Sequence, residues 1–333
     1  MSDSAIGYVS PEIQSIIGVV NTHLRWKITQ NDRRYHKYHP SAFGKCLRQM
    51  QYFRYAEEGL LDMPVQEFEP NIVRIFDNGH FMHDRWQNYF EDIGILMGVW
   101  ECKNPFCYLY DDNGNPKVSV DSKNRRIYGK DSKNGIFKPE ECICGCTDFQ
   151  YKEVTVYSEE MNLCGHADLI VDFSKLSTDR YKGILWDFNI DQLPQNPIVI
   201  DMKTMNDYRW KQKLMKYGPS MEYKIQLCIY ANLLDVDFGL LLYENKNNQD
   251  IRAFKVEKNT DTVFALIRQQ AMQMNAMANF DPKKLPPPRY ADKTNKECSR
   301  CPFKKICHNG KIWEEINLLN EKRNNFYGKL LLS

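Results

Sequence analysis

Nine of the eleven cysteines fall into two groups, and their spacing restricts the fold more than any other feature of the sequence. Disulfides are not expected, because the chain shows no export signal. Two separate groups predict two metal sites instead. The middle group comprises Cys102, Cys107, Cys142, Cys144 and Cys146, and the late group comprises Cys46, Cys298, Cys301 and Cys307.

The late group has the spacing C-x2-C-x5-C at Cys298, Cys301 and Cys307. Three close thiolates need a fourth ligand, which Cys46 in an early helical region or His308 can supply. Four thiolates suit either Zn²⁺ or a [4Fe–4S] cluster, and three with a histidine suit zinc. The residues alone leave these alternatives open, including a small zinc knuckle.

The middle group is typical of a zinc ribbon, because Cys102 and Cys107 are followed by a second short cysteine run. Residues 101–150 are rich in polar residues and poor in aliphatic ones, so this segment cannot bury a core without a metal. We therefore expect a zinc-binding insert. The spacing does not decide which of Cys142, Cys144 and Cys146 is not a ligand.

Composition excludes a disordered chain and leaves the partner undetermined. Hydrophobic residues make up 42% and aromatic residues 13% of the 333, enough for a substantial core. The net charge is only +2, so any basic surface must be local. No apolar run approaches the ~18 residues of a membrane helix, and we expect no membrane contact.

Hydrophobic periodicity predicts a mixed α/β fold around one sheet. Four parts are expected: a helical extension at 1–40, a core at 41–100 and 151–310, the insert at 101–150, and a C-terminal helix at 311–333. Helices are predicted at 41–58, 71–92, 207–217, 220–235 and 260–279. Strands are predicted at 94–100, 151–157, 163–173, 181–188, 197–204, 238–245 and 250–257.

Two strand segments carry the central chemical pattern, GHADLIVDF with Asp168 and PIVIDMKT with Asp201 and Lys203. Residues two apart on a strand point to one face, so Asp201 and Lys203 can share a cleft. Two carboxylates and the Met202 carbonyl suit Mg²⁺ or Mn²⁺, and a neighbouring lysine suits phosphodiester hydrolysis. The alternative is a set of solvated residues at strand ends.

Two helices offer further site residues. His83 lies on the amphipathic helix at 71–92 and is a candidate metal ligand, with His80 as its competitor. Gln226 and Tyr230 are four apart and so share a helix face. Alternatively, these two residues form the polar edge of a helix that packs on the sheet.

A basic segment follows the Asp201 strand directly. Cations interleaved with aromatic rings are typical of a path for single-stranded DNA, with phosphate contacts and base stacking. The alternative is a solvated helix face whose rings point inward. The candidate DNA-binding residues are Arg209, Trp210, Lys211 and Lys213.

The ordered motifs resemble those of the PD-(D/E)XK nucleases, in the RecB-like branch. The resemblance implies a restriction-endonuclease-like core whose metal site comprises His83, Asp168, Asp201 and the Met202 carbonyl. It also implies that Lys203 is catalytic, and that Gln226 and Tyr230 bind DNA and position this lysine. The chain departs from the usual pattern at Ala167, where the family has proline, and Asp201 is the permitted variant of glutamate.

The early cysteine with C-x2-C-P-F-x3-C resembles the iron–sulfur staple of AddB-type nucleases and of the CRISPR-associated adaptation exonuclease. This resemblance implies a structural [4Fe–4S] cluster on Cys46, Cys298, Cys301 and Cys307 that joins the N- and C-terminal parts.

These patterns together predict a metal-dependent DNA exonuclease that acts on single-stranded DNA or DNA ends. We expect a role in phage DNA metabolism, recombination or repair, with recombination or replication proteins as candidate partners. The expected location is the cytoplasm of a bacterial or phage-infected cell. The alternatives are a non-catalytic DNA-binding or assembly module on the same fold, and a CRISPR adaptation nuclease.

Overall fold

The structure is a computed structural model that describes residues 11–29, 37–62, 64, 68–109, 112–115, 126–181, 189–276, 285–290, 292 and 294–307. Most of the predicted strand at 181–188, the predicted helix at 311–333 and His308 lie outside the described residues. The longer helices are α1 (Pro11–Thr29), α2 (Leu47–Glu57), α3 (Pro70–Ile93), α6 (Met221–Leu234) and α7 (Ala265–Ala276). The short helices are α4 (Asp207–Arg209), α5 (Met215–Tyr217), α8 (Lys296–Arg300) and α9 (Lys304–Cys307).

The described strands form one mixed sheet and one separate hairpin. Their bounds are β1 (Leu96–Cys102), β2 (Ile127–Tyr128), β3 (Ile136–Phe137), β4 (Phe149–Lys152), β5 (Val154–Ser158), β6 (Leu163–Ala167), β7 (Leu169–Val171), β8 (Ile198–Met205), β9 (Phe238–Asn245) and β10 (Ile251–Glu257). The order of the mixed sheet is β10-β9-β8-β7-β1, and β5 pairs only with β6. The mixed α/β fold predicted from the sequence is confirmed and is consistent with a restriction-endonuclease-like core.

Both faces of the central strand β8 are covered, which explains its nearly continuous apolar run. On one face Val199 packs with Leu227 and Ala231 of α6. On the other face Ile198 and Ile200 belong to the cluster that includes Met82 of α3. Strands β8 and β9 are parallel, and α6 provides the crossover between them that a parallel pair requires.

The insert is built onto the main sheet. Its strands β2, β3 and β4 all pair with β1 in antiparallel fashion. Trp100 of β1 is fully buried, and its Nε1 donates to the Ile136 carbonyl at 2.9 Å. The segment therefore shares its backbone pairing with the core sheet.

Several predicted elements differ in detail from the structure. The predicted helix at 41–58 begins only at Leu47, after a single 3-10 turn at Pro40–Ala42. The predicted helix at 207–217 is interrupted by a π-helix at Trp210–Leu214. The predicted strand at 163–173 is divided at Asp168 into β6 and β7. Among the described helices, none combines the length and the apolar character needed to cross a bilayer.

Candidate active site

Asp168 lies where the chain passes from the hairpin to the main sheet. Strand β6 before it pairs with β5, and β7 after it pairs with β1 and β8. The Asp168 side chain, 15% exposed, accepts a hydrogen bond from the Met202 backbone nitrogen at 2.8 Å through Oδ2. This bond fixes the carboxylate beside β8.

Asp201 and Lys203 form a close ion pair on β8. Lys203 Nζ lies 2.5 Å from Asp201 Oδ2, and Gln226 Nε2 donates to Asp201 Oδ1 at 3.0 Å. Burial raises the pKa of Asp201 to about 6, although Lys203 opposes the change. Burial alone would lower the pKa of Lys203, but Asp201 and Asp168 outweigh it and raise that pKa. The lysine therefore stays charged at neutral pH.

His83 of α3 faces the same carboxylates. Its Nδ1 lies 3.8 Å from Asp168 Oδ1. Burial, and secondarily the charge of Lys203, lowers the pKa of His83 below its usual value. The imidazole is therefore neutral at pH 7, which is the form that binds metals.

Glu153 is a site residue that sequence reasoning missed. One ligand atom each from His83, Glu153 and Asp168 lies within 4.8 Å of the other two. Burial, and then the charge of Asp168, raises the pKa of Glu153 to about 7. The signal that could have revealed it is the alternation in FQYKE, because Glu153 follows the inward positions Phe149 and Tyr151 in the same series.

Tyr230 and Gln226 lie behind the carboxylates on α6. The Tyr230 side chain is buried, and burial raises its phenol pKa, to which Asp168 and Asp201 also contribute. A Cβ atom at Gly165 would lie 2.7 Å from Pro40 Cδ and 3.0 Å from the Tyr230 hydroxyl. A glycine at 165 therefore lets the tyrosine approach β6 closely.

A cleft of about 780 Å³ opens beside His83 and Glu153. Lys130 and Lys152 line it as cations, and Asp84 lines it as a further carboxylate. The cleft is thus large enough for a nucleotide unit, with positive charge available for a phosphate.

The basic segment after β8 exposes two of the three aromatic rings that are interleaved with its cations, Tyr208, Trp210 and Tyr217. Trp210 is 5% exposed and packs in the core with Leu214, so its ring cannot stack on a base and the predicted DNA contact of Trp210 is revised. Tyr208 and Tyr217 are instead 73% and 79% exposed. The cationic residues Arg209, Lys211 and Lys213 remain on the surface, with Lys211 paired to Asp207 at 2.8 Å.

Four cysteines of the insert converge. The Sγ atoms of Cys102 and Cys144 are 3.7 Å apart, and those of Cys107 and Cys142 are 3.5 Å apart. Zn–S bonds of about 2.3 Å in a tetrahedron separate sulfurs by roughly 3.8 Å. Cys146 lies outside this set, and its Sγ is 3.3 Å from the Asp148 carbonyl. The donor set therefore fits zinc.

Hydrogen bonds lower the pKa of the Cys142 thiol. The Tyr128 hydroxyl donates to its Sγ at 3.3 Å. Burial alone would raise the pKa of this thiol, but hydrogen bonds from the Cys144 backbone and from Tyr128 bring it down to about 7. A thiolate is thus accessible at neutral pH, as a zinc ligand requires.

The late cysteines lie together around one cavity, but less closely. Cys46, Cys298, Cys301 and Cys307 all line a cavity of about 660 Å³. Among the described residues, two groups have three or more potential ligand atoms that all lie within 4.8 Å of one another. The four late cysteines belong to neither group. Arg48 of α2 donates to the Cys307 carbonyl at 3.1 Å and to the Pro286 carbonyl at 2.6 Å, so the early helix is tied to the late segment.

A family model and a solved structure match the chain. The model of the PD-(D/E)XK nuclease superfamily matches residues 185–308, which include Asp201, Lys203, Gln226 and Tyr230 but not His83 or Asp168. A solved structure described as the crystal structure of SSO0001 aligns over 88% of this chain and 96% of its own, with 16% identity and a TM-score of 0.41. No match was found among curated proteins. Residues 185–308 of the chain are thus similar to the PD-(D/E)XK nuclease superfamily.

Proposed function

We propose that the protein is a metal-dependent deoxyribonuclease that degrades single-stranded DNA or DNA ends as an exonuclease. The observation that carries this proposal is the convergence of His83, Asp168, Asp201 and Lys203 from α3, β8 and the β6–β7 junction. A DNA-binding module without catalysis would not require a charged lysine paired to a buried carboxylate beside a second carboxylate.

The donors suit a hard divalent cation. Carboxylate oxygens, the Met202 carbonyl and a neutral imidazole are ligands for Mg²⁺ or Mn²⁺. Such an ion, when bound, would polarise phosphoryl oxygens and lower the pKa of a water.

The remaining roles belong to the chain itself. Lys203 brings a positive charge beside the carboxylates, where it stabilises negative charge that develops on the phosphate. Its Nζ lies 4.9 Å from the centre of the Tyr223 ring, which helps to hold the side chain. Gln226 fixes the orientation of Asp201 through its 3.0 Å hydrogen bond, and Tyr230 supports the site from behind.

DNA is proposed to reach this centre along the basic segment. Arg209, Lys211 and Lys213 would contact phosphates, and the exposed rings of Tyr208 and Tyr217 would stack on bases. Stacking on unpaired bases favours single-stranded DNA. The proposed settings are phage DNA metabolism, recombination or repair, with CRISPR adaptation as the alternative.

Two structural cofactors are part of the proposal. Zinc would bind Cys102, Cys107, Cys142 and Cys144, whose sulfur spacing supports it. A [4Fe–4S] cluster would bind Cys46, Cys298, Cys301 and Cys307, and their wider arrangement around one cavity supports a larger group than a single ion. Metal analysis after anaerobic purification would give about four irons and one zinc per chain.

Cleavage of end-labelled single-stranded DNA tests the function. We expect degradation by the wild type with Mg²⁺ or Mn²⁺ and a loss of about 100-fold or more in Lys203→Met, since one charge-stabilising donor contributes that much. Lys255→Met is the matched control, because Lys255 lies on β10 and is 54% exposed. Equal rates in all three proteins, or no cleavage by any, would overturn the catalytic assignment.

A further inference from the structure

We propose that Glu153, together with His83 and Asp168, forms a divalent-cation site on the cleft side of the nuclease centre. This inference rests on the proposed function and adds to its ligand set a carboxylate that no motif predicted. The three side chains come from α3, the β4–β5 junction and the β6–β7 junction, and their ligand atoms lie mutually within 4.8 Å.

The position of Glu153 is fixed by its neighbours. Gln87 Nε2 lies 3.4 Å from Glu153 Oε1 and 3.3 Å from the Asp168 carbonyl oxygen, so one side chain bridges both ligands. The Tyr151 hydroxyl lies 3.4 Å from the same carbonyl. Because Gln87 is four residues after His83 on α3, a single helix face supplies one ligand and positions the other two.

The carboxylate oxygens of Asp201 and Asp168 have different partners, and this leaves Asp168 available to the proposed cation site. Both oxygens of Asp201 are engaged, one by Lys203 and the other by Gln226. Asp168 uses Oδ2 for the Met202 nitrogen and directs Oδ1 towards His83. Asp168 therefore lies between the β8 residues and Glu153 and can interact with both.

The charges around the cleft favour a cation at this point. Glu153 and Asp84 line the cleft near Asp168, whereas Lys130 and Lys152 line its wall. Lys203 pairs with Asp201 at 2.5 Å, and among the described residues Glu153 has no ion-pair partner. A divalent cation would relieve the repulsion between Glu153 and Asp168.

Binding of Mn²⁺ to the full-length protein, followed by the electron paramagnetic resonance signal of free Mn²⁺, tests the site without relying on activity. We expect Glu153→Gln to weaken at least one Mn²⁺ binding step by about 10-fold or more. Glu159→Gln, at the exposed tip of the same hairpin, is the control and should bind as the wild type does. Glu153→Asp keeps the negative charge but moves the carboxylate away from the other two ligands. We therefore expect its loss of Mn²⁺ affinity to be smaller than that of Glu153→Gln.

The outcomes separate this inference from the proposed function. If Glu153→Gln and wild type give superimposable Mn²⁺ titrations while the wild type degrades DNA, the inference fails and the function stands. If the wild type binds Mn²⁺ in a Glu153-dependent manner but cleaves no DNA, the site stands and the function fails.

Discussion

The ion pair between Arg85 and Glu244 fixes the helix that carries His83 to the central sheet. Arg85 Nη2 lies 2.5 Å from both carboxylate oxygens of Glu244, and Trp86 Nε1 donates to Oε2 at 2.8 Å. Glu244 lies on β9 and its side chain is 7% exposed, whereas that of Arg85 is 40% exposed. Arg85→Met would thus leave a nearly buried carboxylate with one neutral donor.

The expected loss of stability in Arg85→Met follows from the burial of Glu244. Removal of one partner from a fully buried pair destabilises a protein by about 3–5 kcal/mol. The exposure of Arg85 and the remaining Trp86 bond reduce this, so we expect about 2 kcal/mol. For a chain of this size the melting temperature should fall by roughly 3 °C.

Differential scanning calorimetry measures the effect, and a double-mutant cycle isolates it. Glu244→Gln combined with Arg85→Met removes both charges, and we expect it to be closer to the wild type than Arg85→Met alone, because no buried charge is left unpaired. If Arg85→Met melts within about 1 °C of the wild type, or if the double variant is the less stable of the two, the pair does not hold α3 on the sheet as argued.

Three other changes test separate parts of the structure. Gly165→Ala should destabilise the protein by about 1–3 kcal/mol, because the added methyl would overlap Pro40 and the Tyr230 hydroxyl; a melting temperature equal to that of the wild type would contradict this. Cys107→Ser should lose the bound zinc, measured by mass spectrometry, while Cys146→Ser retains it; equal zinc in both would contradict the assigned ligand set. The double change Tyr208→Ala and Tyr217→Ala should weaken binding of single-stranded DNA by about 10-fold or more, while binding of duplex DNA changes little. Fluorescence anisotropy measures both affinities, and equal losses on the two kinds of DNA would exclude stacking.

The predicted elements were most accurate where periodicity was long and uninterrupted. Helices α3 and α6 and strands β8, β9 and β10 lie where the sequence predicted them. Strands β8 and β9 and helix α6 are largely buried, so their apolar residues recur closely, whereas β10 is mostly exposed. The pattern places Asp201 and Lys203 on one strand face, and Gln226 and Tyr230 on one helix face. That this helix face lies beside the strand was implied only by the family resemblance.

Features that depend on contacts between distant segments could not be predicted. The division of one apolar strand at Asp168 arises because its two halves pair with different partners, which no local pattern reveals. The inward orientation of Trp210 depends on the π-helix at Trp210–Leu214 and its packing on the core. Glu153 belongs to no motif, and it comes close to Asp168 only because β5 pairs with β6, with Val154 opposite Ala167.

The most direct test of the account is a crystal structure of the protein with Mn²⁺, in which anomalous scattering locates the ion. The account predicts a peak about 2.0–2.5 Å from carboxylate oxygens of Asp168 at the end of the central sheet, with Lys203 nearby. If the peak lay elsewhere, or if Asp168, Asp201 and Lys203 were dispersed with no ion between them, the proposed nuclease centre would be contradicted.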